Sequence, residues 1–370
     1  MLRVLHIVTD MNRGGLETMI MNYYRCIDKS KLQFDFLEHR SEKSAYDEEI
    51  EKLGGKIYRI QRLNPMSLSY FKALDAFFEE HKYLIVHSHL DCMSAYPLRA
   101  AKKAGIPIRI SHAHSTSQDK NWKYIIKIIS KQFISKYATD LFACSKQAGK
   151  WMFSSENVRI LKNAIDSKKY SFDENCRNKL REELNCVNDL VVGHVGRFSY
   201  PKNHDYLIDI FYELSRRCSD VKLILLGDGE RLQEVKEKVS KLGIEDKIIF
   251  LGIKENVSEY LMAMDIFVFP SIYEGLGIAA IEAQATGIPC IVSDRLPAES
   301  TVIQELVVRK SIDLPAKEWA KEIVTIKKIN RINRQSEIEK SGFDIVSAAN
   351  ELEDFYFEKK CQVDSIYTCV

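Results

Sequence analysis

The strongest constraint on the fold is a repeated alternation of short apolar runs with amphipathic helical patterns. Between the runs, apolar side chains recur three or four residues apart, as at Leu16, Met19 and Tyr23, which is the spacing of a helix with one buried face. Six runs in the first half are typical of buried strands: 4–8, 34–38, 56–60, 84–89, 108–114 and 141–145. The alternation therefore predicts βαβ units, in which helices cover a parallel sheet.

A second series of the same kind begins near residue 190. Its predicted strands are 190–196, 222–227, 248–252, 266–270 and 289–293. A chain of 370 residues is longer than one ordinary hydrophobic core organises. We therefore predict an α/β protein with two doubly wound parallel sheets in tandem. We place the domains at residues 1–165 and 166–344, with a connector to about 185 and an aromatic helix at about 345–370 that packs on one of them.

The composition is that of a globular protein and excludes several classes. Hydrophobic residues make up 45% of the chain and charged residues 29%, and no run reaches the roughly 18 apolar residues of a membrane span. Nine cysteines occur without a CxxC pair, which predicts reduced thiols, a cytosolic protein and no structural zinc. Residues 1–165 carry 26 Lys and Arg against 17 Asp and Glu. The first half therefore faces an anionic surface, unless the asymmetry is a chance property of solvated surfaces.

The most specific motif is residues 274–289, which directly follow the predicted strand 266–270. Two carboxylates, Glu274 and Glu282, bracket a glycine-containing turn and the start of a helix. If residues 275–282 are helical, a rise of about 1.5 Å per residue separates the carboxylates by about 10 Å, comparable to the span from ribose to hexose in a nucleotide sugar. The alternative is that Glu274 caps the helix and Glu282 lies on a solvated face.

Backbone amides and cations around this motif are candidates for binding a diphosphate. The amides near Gly275, Leu276 and Gly277 begin the helix, and helix N-termini bind phosphate oxygens. Arg197 and Lys202 follow another predicted strand, and two cations at one strand exit are costly to place together unless an anion binds there. A guanidinium and an ammonium stabilise the charge that a diphosphate gains as it leaves. The alternative is an ordinary solvated Arg and Lys.

A third turn, after the first predicted strand, contains Gly14 and Gly15. Glycine lets the backbone approach a ligand closely, although a glycine pair is also a simple tight turn. The chain contains no Asp-x-Asp sequence, the usual means of holding a divalent ion against a diphosphate. We therefore expect no metal and no cofactor, with Arg197, Lys202 and helix ends compensating the charge. Residues 225–230 (LLGDGE) lack the third glycine of a dinucleotide fingerprint, which disfavours an oxidoreductase.

Four histidines lie at two predicted strand ends. Side chains alternate between the faces of a strand, so His112 and His114 point to the same side, and His87 and His89 repeat that arrangement. A neutral imidazole can hydrogen-bond a reacting sugar or phosphate near pH 7. We favour His114 as the functional residue and His112 as a core or supporting residue. For His87 and His89 we favour a structural role.

The motifs, taken in their order along the chain, resemble those of glycosyltransferase family 4 in its bacterial capsular and exopolysaccharide branch. They are GGLE, HAHS, LKNAID, VGRFSYPKN, LLGDG and EGLGIAAIEAQATGIPCIVSD. The resemblance covers nearly the whole chain and implies a GT-B fold, in which two Rossmann-like domains face each other across a cleft and the final helix returns to the first domain. One departure is Lys162, where many relatives have proline.

The resemblance also implies an activity and roles for the motif residues. The activity is transfer of a hexose, with retained anomeric configuration, from a nucleotide-diphosphate sugar, preferably a UDP-sugar, to a glycan or lipid-linked acceptor. By this resemblance Gly15 contacts the donor phosphate, and Arg197 and Lys202 bind the diphosphate. Glu274, with the amides of residues 275–277, binds the transferred sugar and phosphate, and Glu282 binds the ribose hydroxyls. The leaving phosphate helps to deprotonate the acceptor, so no protein nucleophile is required. Two alternatives stay open: a nucleotide-sugar 2-epimerase of the same fold, and a non-catalytic donor-binding subunit.

Residues 120–137 contain five lysines and no acidic residue. Lys120, Lys123, Lys127 and Lys131 share one face of the predicted helix, and basic amphipathic helices bind anionic lipid surfaces. We therefore expect a cytoplasmic protein in peripheral contact with the inner face of the cell membrane, with no nucleic-acid partner. The alternative is an ordinary surface helix.

Overall fold

The computed structural model describes residues 1–117, 124–153, 155, 157–326 and 331–368. The chain divides into two compact units: residues 1–165 with 342–370, and residues 166–341. Each unit is built on its own parallel sheet, which confirms the predicted α/β chain with two Rossmann-like domains. Lys120 and Lys123 of the predicted basic helix lie outside the described residues.

The first unit is built on a parallel sheet at the predicted positions. Its described strands are β1 (Leu2–Val8), β2 (Leu32–Glu38), β3 (Ile57–Arg59), β4 (Ile85–Ser88), β5 (Ile108–Ala113), β6 (Asp140–Ala143) and β7 (Arg159–Ile160). They are ordered β3-β2-β1-β4-β5-β6-β7. Because β4 lies between β1 and β5, the carboxyl ends of these three strands meet at one edge. Strand β7 was not predicted, since two residues carry no periodicity.

Amphipathic helices cover this sheet as the spacing predicted. They are α1 (Gly15–Cys26), α2 (Asp47–Lys52), α3 (Leu68–Glu80), α4 (Ala95–Lys103), α5 (Tyr124–Gln132), α6 (Ile134–Tyr137) and α7 (Lys146–Met152). In α1, Met19, Ile20 and Tyr23 are buried, so the apolar stripe faces the core of the unit.

The second unit repeats the pattern. Its described strands are β8 (Leu190–Val195), β9 (Val221–Leu226), β10 (Ile248–Gly252), β11 (Ile266–Phe269), β12 (Cys290–Ser293) and β13 (Val307–Lys310), in the order β10-β9-β8-β11-β12-β13. Its helices are α8 (Glu174–Glu183), α9 (His204–Ser215), α10 (Leu232–Leu242), α11 (Val257–Ala263), α12 (Ile278–Ala285), α13 (Ala316–Thr325) and α14 (Gln335–Lys340). The edge strand β13 was not predicted, because its sequence VVRK is short and half charged.

The predicted connector up to about residue 185 contains helix α8, which is part of the second unit. Arg181 is buried and donates to Asp265 Oδ2 at 3.0 Å and to the Ala263 carbonyl at 3.0 Å. Arg177 donates to Asp265 Oδ1 at 2.5 Å. The prediction was wrong here because these arginines attach the helix through hydrogen bonds, which a hydropathy pattern does not reveal.

The final helix, α15 (Ile345–Thr368), belongs to the first unit. Phe355 and Tyr356 are buried in that unit, and Glu353 accepts a hydrogen bond from the Asp28 amide at 3.1 Å. None of the helices in the described parts of the chain combines the length and the apolar character that crossing a lipid bilayer would require.

Candidate active site

Lys202 and Glu274 form an ion pair at the carboxyl edge of the second sheet. Lys202 Nζ lies 2.7 Å from Glu274 Oε1, and the two side chains are only 20% and 13% exposed. Lys202 ends a 3₁₀ turn after β8, and Glu274 lies in the turn after β11. Because β8 and β11 pair directly, the sheet brings these two turns together.

Two hydrogen bonds to backbone carbonyls hold these turns together. The Ile272 amide donates to the Pro201 carbonyl at 2.8 Å, and the Asn203 side chain donates to the Pro270 carbonyl at 3.1 Å. Lys202 Nζ also lies 4.7 Å from the centre of the Phe269 ring. The Lys202 ammonium is therefore positioned by its own 3₁₀ turn, by the Glu274 carboxylate and by the Phe269 ring. An electrostatic site needs charges that are oriented in advance in this way.

The loop that carries Arg197 and Lys202 packs against the loop of residues 227–231. Gly227 has φ +132, and a Cβ built on it would lie 2.1 Å from the Gly196 carbonyl oxygen. The Phe198 amide donates to the Asp228 carbonyl at 2.9 Å. The glycines of LLGDGE therefore allow two loops to approach closely, which gives them a structural reason unrelated to a dinucleotide fingerprint.

Arg197 lies in the same loop as Lys202, but its guanidinium pairs with Glu230 at 3.0 Å. The Arg197 side chain is 72% exposed, and exposed ion pairs contribute little free energy. A phosphate that approached this loop could therefore displace Glu230 from Arg197 at low cost.

Helix α12 begins at Ile278, not at Gly275. Gly277 is its N-cap and has a left-handed backbone, with φ +85, and no side chain caps the helix within the described residues. The premise that residues 275–282 are all helical was wrong, because a left-handed residue cannot continue a right-handed helix. The distance inferred from helical rise therefore does not apply, while the first turn of α12 still directs backbone amides out of its N-terminus.

Glu282 lies inside α12 and accepts a hydrogen bond from the Tyr170 hydroxyl at 2.7 Å. Burial raises the pKa of Glu282, and the hydrogen bond from Tyr170 opposes that shift. The alternative that Glu282 lies on a solvated face is not what the structure shows, since the residue is half-buried and its carboxylate binds the Tyr170 hydroxyl. Sequence reasoning missed Tyr170, because it lies in the segment interpreted as a connector and 112 residues from its partner.

In the first unit, His114 lies immediately after β5 and is half-buried, whereas His112 is fully buried. His114 Nε2 lies 3.0 Å from His89 Nδ1, and its backbone amide donates to Asp91 Oδ1 at 2.8 Å. Burial lowers the pKa of His114 to about 3, so its imidazole is neutral near pH 7. A neutral ring can donate a hydrogen bond to a sugar oxygen or accept one from a sugar hydroxyl.

His6 also belongs to this histidine group, and sequence reasoning missed it. His6 Nδ1 lies 3.0 Å from His89 Nε2. The available signal was a histidine between apolar residues of strand β1, LRVLHIV. Its meaning became visible only once β1 was placed beside β4.

Gly15 is the first residue of α1, and Gly14 is its N-cap in an extended conformation. A Cβ built on Gly15 has no atom of the described residues within 4 Å. The space beside this helix N-terminus is therefore open to a ligand group. Gly15 and His114 belong to the first unit, and the Lys202–Glu274 pair belongs to the second.

Two Rossmann-like sheets, each with candidate ligand-binding turns at its carboxyl edge, are the architecture of glycosyltransferases of the GT-B type. The family model "Glycosyltransferase Family 4" matches residues 13–169, and "Glycosyl transferases group 1" matches residues 177–341. The putative glycosyltransferase EpsF of Bacillus subtilis is 36% identical over 90% of both chains. The chain belongs to glycosyltransferase family 4.

Other relatives and solved structures agree. The capsular polysaccharide biosynthesis glycosyltransferase CapH of Staphylococcus aureus is 26% identical, with 97% of this chain and 99% of CapH covered. An Escherichia coli UDP-Gal:alpha-D-GlcNAc-diphosphoundecaprenol alpha-1,3-galactosyltransferase is 26% identical over 76% of both chains. The crystal structure of Anabaena HepE with UDP and glucose superimposes with a TM-score of 0.80 at 18% identity, covering 96% of this chain and 99% of HepE, which shows the shared fold.

Proposed function

We propose that this glycosyltransferase moves a hexose from a UDP-sugar to a glycan or lipid-linked acceptor in surface polysaccharide synthesis, with retention of anomeric configuration. The observation that carries the proposal is the Lys202–Glu274 pair, 2.7 Å apart beside the N-terminus of α12. It combines a fixed cation for a leaving diphosphate with a carboxylate that can accept hydrogen bonds from sugar hydroxyls.

The pair suits a departing diphosphate better than a neutral ligand. As the glycosidic bond to the donor breaks, negative charge grows on the diphosphate oxygens, and a preoriented ammonium stabilises that charge without reorganising. Arg197 and the first amides of α12 supply further positive potential. In this proposal they take the place of a divalent ion, in keeping with the absence of Asp-x-Asp from the sequence.

Retention follows from a front-face displacement in this proposal. The leaving phosphate oxygen accepts the proton of the acceptor hydroxyl, so the protein supplies no covalent nucleophile. Neutral His114 hydrogen-bonds the sugar, and Glu282, already oriented by Tyr170, accepts from the ribose hydroxyls. Gly15 offers the open backbone of the α1 N-terminus to the donor phosphate.

The names of relatives support the donor and the pathway. HepE was crystallised with UDP and with UDP-glucose, and the Escherichia coli relative uses UDP-Gal and a diphosphoundecaprenol acceptor. The name of CapH supports a role in polysaccharide synthesis.

Helix α5 supports a membrane-facing acceptor site. Ile125 and Ile129 of this helix and Phe133, the residue after its end, lie four residues apart and are 68%, 55% and 45% exposed, so they form an outward apolar stripe. Lys127 and Lys131 of the same helix are half-buried, and Lys131 Nζ lies 4.6 Å from the centre of the Trp151 ring. In this proposal the stripe enters the lipid interface while the lysines attract anionic headgroups.

The deciding experiment incubates the purified protein with UDP-hexoses and undecaprenyl-diphosphate-sugar acceptors and follows product by mass spectrometry. We expect an acceptor-dependent disaccharide whose new linkage has the anomeric configuration of the donor by NMR. Free nucleotide and an altered hexose without acceptor would identify the 2-epimerase. Donor binding without any turnover would identify the non-catalytic subunit. A parallel thermal-shift panel finds the donor, since a ligand at about 100 times its Kd adds roughly 2.7 kcal/mol to the free energy of unfolding.

A further inference from the structure

Five histidines converge where β1, β4 and β5 end. They are His6, His87, His89, His112 and His114. Neighbouring rings pack against each other: the centroids of His87 and His89 lie 4.3 Å apart in a stacked arrangement, and those of His112 and His114 lie 4.0 Å apart with the rings tilted. All of these rings except His114 are buried, and His114 is half-buried. The first unit thus concentrates imidazoles at one edge of its sheet.

The hydrogen bonds within this group leave several ring nitrogens unsatisfied. His89 uses both nitrogens, bonding His6 on one side and His114 on the other, each at 3.0 Å. Within the described residues, both nitrogens of His112 are buried and have no partner, and neither does Nδ1 of His114. A neutral imidazole always carries one N–H, so His112 buries an unpaired donor as well as an unpaired acceptor. Burying a polar donor and acceptor without hydrogen bonds lowers the free energy of unfolding, unless a further group or ion binds to these nitrogens.

The rings have the form that metal ions require. His89 and His112 are buried, which disfavours the charged imidazolium, and a neutral imidazole keeps the lone pair of one ring nitrogen. Neutral imidazole is a preferred ligand of zinc, copper and nickel. Asp91 Oδ1 accepts from the His114 amide at 2.8 Å, which places a carboxylate beside the group, where it would compensate part of a cation's charge.

We propose that His89, His112 and His114 form a binding site for a late first-row divalent metal ion such as Zn²⁺. One nitrogen from each of these residues lies within 4.8 Å of the other two. Tetrahedral zinc with Zn–N distances of about 2.0–2.1 Å needs ligand atoms about 3.4 Å apart, so ring rotations that move each nitrogen by about 1 Å complete the site. Three protein ligands leave the fourth position to water.

A second triad, His6 with His87 and His89, meets the same distance condition. It is less suited because all three rings are buried and no member faces solvent. His114 is half-buried and gives an ion a route to the first triad. The proposed site lies in the first unit and shares His114 with the proposed sugar contact, whereas the proposed diphosphate-binding residues Lys202 and Arg197 lie in the second unit.

The test uses the full chain with any affinity tag removed and with metal stripped by a chelator. Co²⁺ titration should give visible d–d bands of a tetrahedral site at one equivalent. Zn²⁺ should displace Co²⁺, compete with a chromophoric chelator and raise the unfolding temperature. A strong near-ultraviolet charge-transfer band would indicate thiolate ligands, and this outcome would overturn the proposal, as would the absence of any binding.

Matched variants locate the site. His112→Leu, which keeps the ring's approximate volume in an apolar form, should lower Zn²⁺ affinity at least about tenfold. His204→Leu is the control, because His204 is also buried with both ring nitrogens unpartnered in the described residues but lies in the second unit. It should bind Zn²⁺ as the wild type does. If His112→Leu misfolds by circular dichroism, His114→Gln at the half-buried position takes its place. Unchanged affinity in the folded variant refutes the assignment.

Discussion

Lys202 Nζ and Glu274 Oε1 lie 2.7 Å apart although 72 residues separate them in the chain. They meet because the strands that precede them, β8 and β11, are neighbours in the sheet. Parallel sheets collect the residues that follow each strand at one edge, which is why ligands bind there. The pair is much less exposed than the ion pair of Arg197 with Glu230.

Lys202→Met should lower kcat by at least about tenfold, which corresponds to roughly 1.4 kcal/mol of transition-state stabilisation. The reason is that the leaving diphosphate loses its fixed cation. The matched control is Lys310→Met, because Lys310 pairs with Glu322 at 2.8 Å and is 17% exposed. That variant should lose stability but keep its kcat. Equal kcat values in both variants would show that Lys202 has only a structural role.

Tyr170→Phe should make donor binding more sensitive to acid. Burial raises the pKa of Glu282 and the Tyr170 hydroxyl opposes the shift, so removing the hydroxyl raises the pKa further. Ionised Glu282 accepts hydrogen bonds from ribose more strongly, and the donor KM should therefore begin to rise at a higher pH than in the wild type as the pH falls. The Glu282→Gln variant should show neither titration nor this difference. Superimposable KM profiles for wild type and Tyr170→Phe would contradict the role of Glu282.

The same carboxylate links stability to pH. Because the pKa of Glu282 is higher in the folded protein than in the unfolded chain, the unfolded chain releases this proton first. This contribution to the free energy of unfolding is therefore fully present below the unfolded pKa and is lost as the pH rises through the folded pKa. Tyr170→Phe should raise the folded-state pKa of Glu282 and so widen the pH range between the unfolded and folded pKa values, over which the free energy of unfolding falls. Urea unfolding at several pH values measures this range.

Gly227→Ala should lower the free energy of unfolding by about 2–4 kcal/mol, because the new Cβ meets the Gly196 carbonyl and the backbone is strained. The control is Gly243→Ala, with φ +65 and no atom of the described residues within 4 Å of its Cβ. It should cost only about 1–2 kcal/mol for the left-handed backbone. We also expect weaker donor binding in Gly227→Ala alone, because its loop supports Arg197 and Lys202. Similar losses of stability and donor affinity in both variants would argue against the close approach.

Ile125→Ser combined with Ile129→Ser should abolish flotation with liposomes that contain acidic lipid. Each exposed isoleucine is expected to contribute roughly 1.5–3 kcal/mol on entering an apolar phase, so the double variant loses far more than tenfold in partitioning. Val346→Ser is the control, since Val346 is 56% exposed on α15. Wild-type protein that fails to float, or a double variant that floats as well as the control, would remove the membrane role of α5.

Local patterns were enough for the framework. The apolar runs of β1, β8 and β11 predicted buried strands, because the tendency of a residue to be buried depends mainly on the polarity of its own side chain. The turns that follow them, with Gly15, Lys202 and Glu274, were identified for the same reason: a strand end is recognisable from a few neighbouring residues. Family membership was also visible in the motif order, and the comparisons confirm it.

Three features needed the folded chain. The start of α12 depends on the left-handed backbone of Gly277, a conformation that glycine permits and does not enforce. Arg177 and Arg181 of α8 donate hydrogen bonds to Asp265, and these bonds attach a charged segment to the second unit. Helix α5 exposes isoleucines and partly covers Lys127 and Lys131, because the neighbours of a helix decide which of its faces is buried.

The sequence by itself determined the class of fold, the order of the elements and the identity of the charged residues at the strand ends, since these follow from short-range periodicity and composition. Only the tertiary structure decided which of those residues touch. Tyr170 with Glu282 and His6 with His89 are pairs separated by 112 and 83 residues, and the second contact depends on the pairing of β1 with β4. The order of the strands is decided by the packing of the complete domain, because each strand is hydrophobic enough to pair with any of the others.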